Sequence, residues 1–290
     1  FLLLAMLMMP AGASGMQAVV WEAASAVPPV NVAGYPRLDI LSNGTLILAN
    51  SGTIRKSVNG GQTWVRKDVT QNSATTVVSS SGQTHTLVRE NWQPFVLMDG
   101  TVMLSYRART ANYTTGEFYT SIRVMYSNDN AETFINEEIL VENTASAFRG
   151  YWEPFIIQID EDTLALYYAN DLDGIVGGAQ QNICYVTYDL ETKTWNKTQR
   201  VAINGISRNS RDGMPVVTQL SDGSFAMVFE AFDYNRRSYN GVYGQSPFVI
   251  SMSRSADGKS WSTPVPIAAP QNITAGDRCA APYITTLGDG

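Results

Sequence analysis

Apolar residues in this chain come in short runs broken by acidic or Asn-Gly turns, and the runs repeat. The unit is a proline, an apolar run, a tight turn and a second apolar run. It occurs five times, as "YPRLDILSNGTLILAN", "WQPFVLMDGTVMLSYR", "WEPFIIQIDEDTLALYYAN", "MPVVTQLSDGSFAMVFEA" and "APYITTLGDG". Its prolines are Pro36, Pro94, Pro154, Pro215 and Pro282, giving steps of 58, 60, 61 and 67 residues. Each unit predicts two short strands around a tight turn, a hairpin signal. Each proline is expected at or near the start of a strand, where its missing N–H is tolerated.

A second motif lies between successive prolines. "SVNGGQTW" (Ser57 to Trp64) fits the pattern Ser-x-Asp-x-Gly-x-Thr-Trp with Asn59 in the Asp position. "SNDNAETF" (Ser127 to Phe134) fits it with Ala131 and Phe134 as substitutions, "SADGKSW" (Ser255 to Trp261) is one residue shorter, and "YDLETKTW" (Tyr188 to Trp195) is a worn copy. The chemistry is that of a self-bonded turn: the Asp or Asn side chain accepts turn N–H groups, Gly takes positive φ, and the aromatic packs beneath. The motif resembles the Asp box of sialidases and related propellers. Four strands in roughly 60 residues, repeated, make blades of a β-propeller. A β-sandwich also supplies many short strands but leaves the two phased motifs unexplained, and no stretch shows sustained helical periodicity. The predicted fold is all-β: a six-bladed, sialidase-like propeller over residues 16–290, of which about four whole blades and the start of a fifth are expected here.

Composition narrows the partners. The chain has 290 residues, 44% of them hydrophobic, enough to bury a sizeable core. With 26 Asp and Glu against 20 Lys and Arg, it lacks the basic surface that nucleic acid or an anionic membrane demands. "FLLLAMLMMPAGASG" reads as the remnant of a signal peptide over residues 1–15, too short to span a bilayer. Sequons at Asn43, Asn112, Asn196 and Asn272 suit a secreted, extracellular glycoprotein. Cys184 and Cys279 allow either one disulfide or two buried thiols. His85 is the only histidine, so multi-histidine zinc sites are excluded, and a Ser-His-Asp centre is excluded unless His85 serves it. His85 is expected in solvent or in the core.

In a propeller the first strand of each blade lines the central channel. Aligning the repeats on the residue before the proline gives Gln93, Glu153, Met214 and Ala281. At the end of the second strand the equivalents are Ser51, Arg107, Ala169 and Glu230. Glu153 in "YWEPF" and Glu230 in "MVFEAF" are thus carboxylates where their twins are not, among apolar neighbours, and a carboxylate there is costly unless paired or used. Two carboxylates facing one cavity suit glycosidic cleavage, one as acid/base and one as nucleophile or as activator of water. Trp92, Trp152 and Tyr168 are candidate stacking faces for a sugar. Arg37, Gln93, Arg107, Asn170, Asp171, Arg211 and Asp212 are candidate hydrogen-bonding groups. The competing readings are core packing for Trp92 and Trp152, and a local salt bridge in "SRDGMP" for Arg211 and Asp212.

"NWQPF", "YWEPF", "SRDGMP" and "VFEAF", in this order on the repeat, resemble family ninety-three of the glycoside hydrolases, from about Gly34 to Gly290. The resemblance implies a secreted exo-α-1,5-L-arabinanase that releases arabinobiose from linear arabinan with retention. It carries the acid/base role to Glu153 and the nucleophile role to Glu230. It also implies a monomer acting on a polysaccharide or oligosaccharide, with no metal, no cofactor, no nucleic acid and no membrane contact after signal removal. A sialidase is the rival enzyme, with Arg37, Arg107 and Arg211 converging on a sialate carboxylate. "GYPRL" departs from its hallmark, because Arg37 follows the proline. A non-catalytic carbohydrate-binding propeller is the third alternative.

Overall fold

A computed structural model describes residues 35–286 except 51, 70–74, 112–116, 146–147, 174–179, 234–237, 240–241, 244–247 and 269–278. Among the described residues all regular structure is β, in four antiparallel meanders. Blade 1 is β1 (Arg37–Ile40), β2 (Leu46–Asn50), β3 (Thr53–Ser57) and β4 (Val65–Asp68). A short β5 (Thr76–Val78) pairs with the start of β6 (Thr84–Val96), which heads blade 2 with β7 (Val102–Thr110), β8 (Phe118–Ser127) and β9 (Ile135–Ala145). Blade 3 is β10 (Tyr151–Gln158), β11 (Thr163–Asn170), β12 (Asn182–Asp189) and β13 (Thr194–Ile203). In blade 4, β14 (Ser210–Gln219) and β15 (Phe225–Asp233) precede a small β16–β17 hairpin (Ser238–Tyr239, Val242–Tyr243). The blade is completed by β18 (Val249–Ser255) and β19 (Val265–Ala268). This is an incomplete propeller. The stretch 1–15 and the sequons Asn112 and Asn272 lie outside the described residues, whereas Asn43 and Asn196 are exposed.

The apolar runs are continuous because second strands are buried on both faces. In β11, Leu164, Leu166 and Tyr168 pack towards blade 2, while Ala165 and Tyr167 pack towards blade 4. Leu164 and Leu166 each contribute about 1.5–3 kcal/mol by this burial. The polar turns hold themselves. Asn59 Oδ1 accepts the Thr63 N–H at 2.9 Å, Asp129 Oδ1 accepts those of Glu132 and Thr133 at 3.0 and 2.9 Å, and Asp257 Oδ1 accepts those of Lys259 and Ser260 at 2.8 and 2.7 Å. The Ser260 N–H leads the interactions that pull the Asp257 carboxyl down to about 2.

Pro36 stands directly before β1, as expected, but the next three prolines do not start strands. Pro94, Pro154 and Pro215 lie inside β6, β10 and β14. Each of these strands carries a bulge in which two residues face one: Asn91–Trp92 opposite Tyr106, Glu153–Pro154 opposite Tyr168, and Met214–Pro215 opposite Phe229. Innermost strands have one unpaired edge, and a bulge leaves its extra residue outside the ladder, so a missing N–H is harmless there. The bulged residues Asn91, Glu153 and Met214 have φ of 56°, 39° and 53°.

This register corrects the alignment on the proline. The second repeat is two residues shorter between proline and turn, so Gln93 stands across from Ser105 whereas Phe155 stands across from Tyr167 and Val216 across from Val228. Gln93 is therefore the counterpart of Phe155, and the counterpart of Glu153 is Asn91. The Gln93 amide is fully engaged between blades: Nε2 donates to Ile156 O at 3.1 Å, and Oε1 accepts the Ile156 N–H at 2.5 Å. Replacing Gln93 by Ala leaves both backbone groups unpaired in a buried place. We expect a loss of about 1–3 kcal/mol in unfolding free energy, read from urea denaturation. A stability equal to the parent's, with weakened sugar binding, would return Gln93 to the substrate site.

Candidate active site

The bulge in β10 and the end of β15 bring Glu153 and Glu230 together from neighbouring blades. At positive φ before a proline, Glu153 is held in a conformation that ordinary residues avoid, costing of order 1–3 kcal/mol. Glu153 is half-buried, yet its Oε2 is closed off from solvent and has no hydrogen-bond partner. Burial pushes its carboxyl above the ordinary glutamate range. Arg107 opposes the rise, the Glu230 charge adds to it, and Arg211 and the Met214 N–H oppose it. Glu230 is 7% exposed and lies across the ladder from Gly213. Its Oε1 accepts from Arg211 Nη1 at 3.0 Å, and its Oε2 accepts from the Ala281 N–H at 3.4 Å.

Three arginines surround the pair, each from a different blade. Arg107 in β7 is buried, ion-paired with Glu90, and sits over the Trp152 ring at 4.3 Å. Its Nε and Nη1 have no partner. Arg211 in β14 lies over the Phe248 ring at 5.2 Å. Arg37 in β1 lies 5.5 Å from the centre of the Tyr283 ring; burial lowers its pKa, while Tyr283 and Glu153 raise it. Blades 1, 2, 3 and 4 therefore each send a charged group to one place, the axial end where the first strands begin.

Other candidates are placed elsewhere. Trp92 is fully buried against Tyr106, with ring centroids 5.1 Å apart, so the core-packing reading holds for it. Tyr168 is the aromatic beneath the blade 3 bulge, as Tyr106 and Phe229 are in blades 2 and 4, and its hydroxyl donates to Gln199 at 2.9 Å. Asn170 donates to Asp173 and accepts from the Leu172 N–H, securing the turn after β11. Asp212 is wholly buried, accepts from Ser210 Oγ at 2.6 Å and pairs with Arg208, not Arg211. Asp171 ties two strand ends through the Gly150 N–H, and burial raises its carboxyl against the pull of that bond, Arg149, Trp152 and Arg211. Trp152 stays half-buried beside Arg107. His85 is a core residue between Thr110 and Glu117. Cys184 is buried between blades 2 and 3, and both it and Cys279 are free thiols.

Two site residues carried no motif. Glu90 neutralises Arg107 and Arg109, and only the ladder shows it opposite Arg107. Gln181 is 1% exposed with neither amide atom partnered, and a Cβ on Gly213 would lie 3.2 Å from its Oε1. Native proteins seldom leave buried polar atoms unpaired. Glu153 Oε2, Arg107 Nε and Nη1 and the Gln181 amide are thus donors and acceptors with no protein partner among the described residues.

No family model matches the sequence. No curated protein matches it either. The fold is similar to that of an α-L-arabinanase of Penicillium chrysogenum solved with arabinobiose, at 20% identity and a TM-score of 0.62, covering 89% of this chain and 73% of that one. It is also similar to a GH93 α-L-arabinofuranosidase of Fusarium graminearum solved with arabinobiose, at 21% identity and a TM-score of 0.59, covering 80% of this chain. A thermostable family-43 glycoside hydrolase is similar at 16% identity and a TM-score of 0.53, covering 83% of this chain and 72% of that one. The chain spans 64% of the Fusarium protein, just under two thirds.

A carboxyl raised in the folded state binds its proton more tightly there than when unfolded. Its stabilising contribution is complete below the ordinary glutamate range and is lost as pH rises through the elevated folded value. Glu153→Gln mimics the protonated form at every pH. Unfolding free energies of parent and variant, compared from about pH 4 to about pH 8, should shift progressively in favour of the variant. A shift in favour of the parent would mean that Arg107 and Arg211 outweigh burial.

Proposed function

We propose that this chain is the catalytic propeller of a secreted retaining glycoside hydrolase of family ninety-three, exo-acting on linear α-1,5-L-arabinan and releasing arabinobiose. The observation that carries the reading is the meeting of Glu153 and Glu230 at the axis. One carboxyl is raised by burial with an oxygen left unpartnered, and the other is held by Arg211 and the Ala281 N–H. Such asymmetry is what acid/base and nucleophile require. Similarity in fold to two proteins solved with arabinobiose points to the sugar.

In the first step Glu153 gives its proton to the departing glycosidic oxygen while a Glu230 oxygen attacks the anomeric carbon. In the second, Glu153 takes a proton from water as the water displaces Glu230, which regenerates both groups. Retention calls for carboxyl groups about 5–5.5 Å apart in the productive complex. Arg107, positioned by Glu90 and Trp152, and the Gln181 amide supply hydrogen bonds to sugar hydroxyls. The apolar leader and the exposed Asn43 and Asn196 support export and glycosylation.

One observation favours a second reading. Arg37, Arg107 and Arg211 all lie near Glu153, as a clamp for a sialate carboxylate would. Against it, Arg107 is already paired with Glu90 and Arg211 with Glu230. Debranched arabinan and a sialyl conjugate separate the two: we expect arabinobiose from the first and no release from the second. If neither substrate is cleaved, the protein is a binding propeller.

Glu230→Gln should lower turnover by about 10³-fold or more; it also strips Arg211 of its ion partner, so a lower unfolding midpoint is expected and turnover is compared well below it. Glu153→Ala should recover activity with azide or with substrates bearing good leaving groups. No recovery under either condition removes its acid/base role. Proton NMR of the first product should show the substrate's anomeric configuration.

A further inference from the structure

The turns that join first to second strands and third to fourth strands all lie at the end of the blades opposite Glu153 and Glu230. On that face a cleft of about 780 Å³ opens between blades 2 and 3, within the roughly 300–1,000 Å³ range of small-molecule sites. Blade 2 contributes Asp99, Tyr126 and Glu138 to its wall, and blade 3 contributes Gln158, Tyr188 and Lys193.

The wall is built rather than incidental. Tyr188 packs on Trp195 with ring centroids 5.1 Å apart, and the Trp195 indole N–H donates to the Tyr126 hydroxyl at 2.7 Å. Tyr126 in turn donates to Glu138 at 3.3 Å. Tyr188 is 5% exposed as a residue and lines the cleft, and among the described residues its hydroxyl is not one of the closed-off, unpartnered polar atoms, so it is open to the cleft. Burial raises the pKa of that hydroxyl, and the charges of Asp99, Glu138 and Asp189 add to the rise.

The charge of the lining selects the ligand class. Of its four carboxylates, Asp99 pairs with Lys193 at 3.1 Å, Glu137 with Arg123 at 2.8 Å and Glu138 with Lys197 at 2.9 Å. The lining residues thus offer no unpaired cation to hold an anion such as a uronate or a sulfated sugar. Among the described residues no group of three His, Cys, Asp or Glu side chains is placed to hold a metal. Aromatic edges beside carboxylate and amide acceptors fit a neutral molecule rich in hydroxyl donors.

We propose that the cleft between blades 2 and 3 is a second carbohydrate-binding site, which takes a neutral glycan chain on the face opposite Glu153 and Glu230. It holds the polymer without cleaving it. The choice of arabinan as the foremost ligand rests on the function proposed above; the site itself does not.

Native gel electrophoresis through linear arabinan, linear galactan, xylan or polygalacturonate tests this. The proteins are the parent, Tyr188→Phe, and the double variant Asp99→Asn with Glu138→Gln. Tyr188→Phe keeps the ring in the core, so its unfolding midpoint should match the parent's. We expect a neutral glycan to retard the parent, with affinity for it about tenfold weaker in Tyr188→Phe and in the double variant. Hydrolysis of a short chromogenic arabinoside should be unchanged in both. Retardation by no neutral glycan, retardation by polygalacturonate alone, or equal retardation of parent and variants overturns the proposal. A parent that cleaves nothing yet shows retardation dependent on Tyr188 sinks only the catalytic reading. A parent that cleaves arabinan with retardation independent of Tyr188 sinks only this one.

Discussion

The bulge in the innermost strand is the constraint on which the rest of the site depends. A first strand has a ladder on one side and the axis on the other. Inserting one residue at positive φ releases that residue from the ladder. Asn91, Glu153 and Met214 all occupy this position, each opposite a fully buried aromatic: Tyr106, Tyr168 or Phe229. The aromatic fills the volume beneath the bulge, and the released residue becomes free to vary. In blade 3 it is a glutamate. The repeat thus accepts a carboxylate at the blade 3 bulge and a buried apolar side chain, Met214 at 4% exposure, at the blade 4 bulge.

Charge balance explains how three arginines and three glutamates coexist around one axis. Arg107 is matched by Glu90, and Arg211 by Glu230. Removing one partner of such a pair would leave an uncompensated buried charge, which is far costlier than the pair itself. Glu153 has Arg37, Arg107 and Arg211 nearby without a direct ion pair to any of them, and burial dominates its carboxyl. Its protonation therefore depends on water being kept out, whereas Glu230 has fixed donors on both oxygens. One site thereby contains two carboxyl groups with different surroundings and different partners.

The two ends of the blades are held differently. At the turn end Asp129 and Asp257 accept their own turn's N–H groups, while the Lys193–Asp99 and Lys259–Asp160 pairs and the Trp195 bond to Tyr126 join neighbouring blades. The axial end depends on contacts between blades, including the Gln93 clamp on Ile156 and the Arg107–Trp152 stack. Both ends therefore tie blade to blade, and the turn end adds bonds confined to single hairpins.

Much of this was legible in the chain itself. The period near sixty residues, the hairpins, the self-bonded turns and the oddity of Glu153 and Glu230 all follow from spacing and local chemistry. Strand periodicity reports that neighbouring residues face opposite ways, but it does not say which way is the axis. Because the second repeat is two residues shorter between proline and turn, aligning on the proline matched Gln93 with Glu153, although cross-strand pairing matches Gln93 with Phe155. The same ambiguity put Tyr168, Asn170 and Asp212 among the sugar ligands, when the register turns them into the blade interior. Glu90 and Gln181 lay in no motif, because their importance comes from what stands opposite them. Local sequence determined the blades and their turns; only the pairing of distant strands decided which side chains meet at the axis.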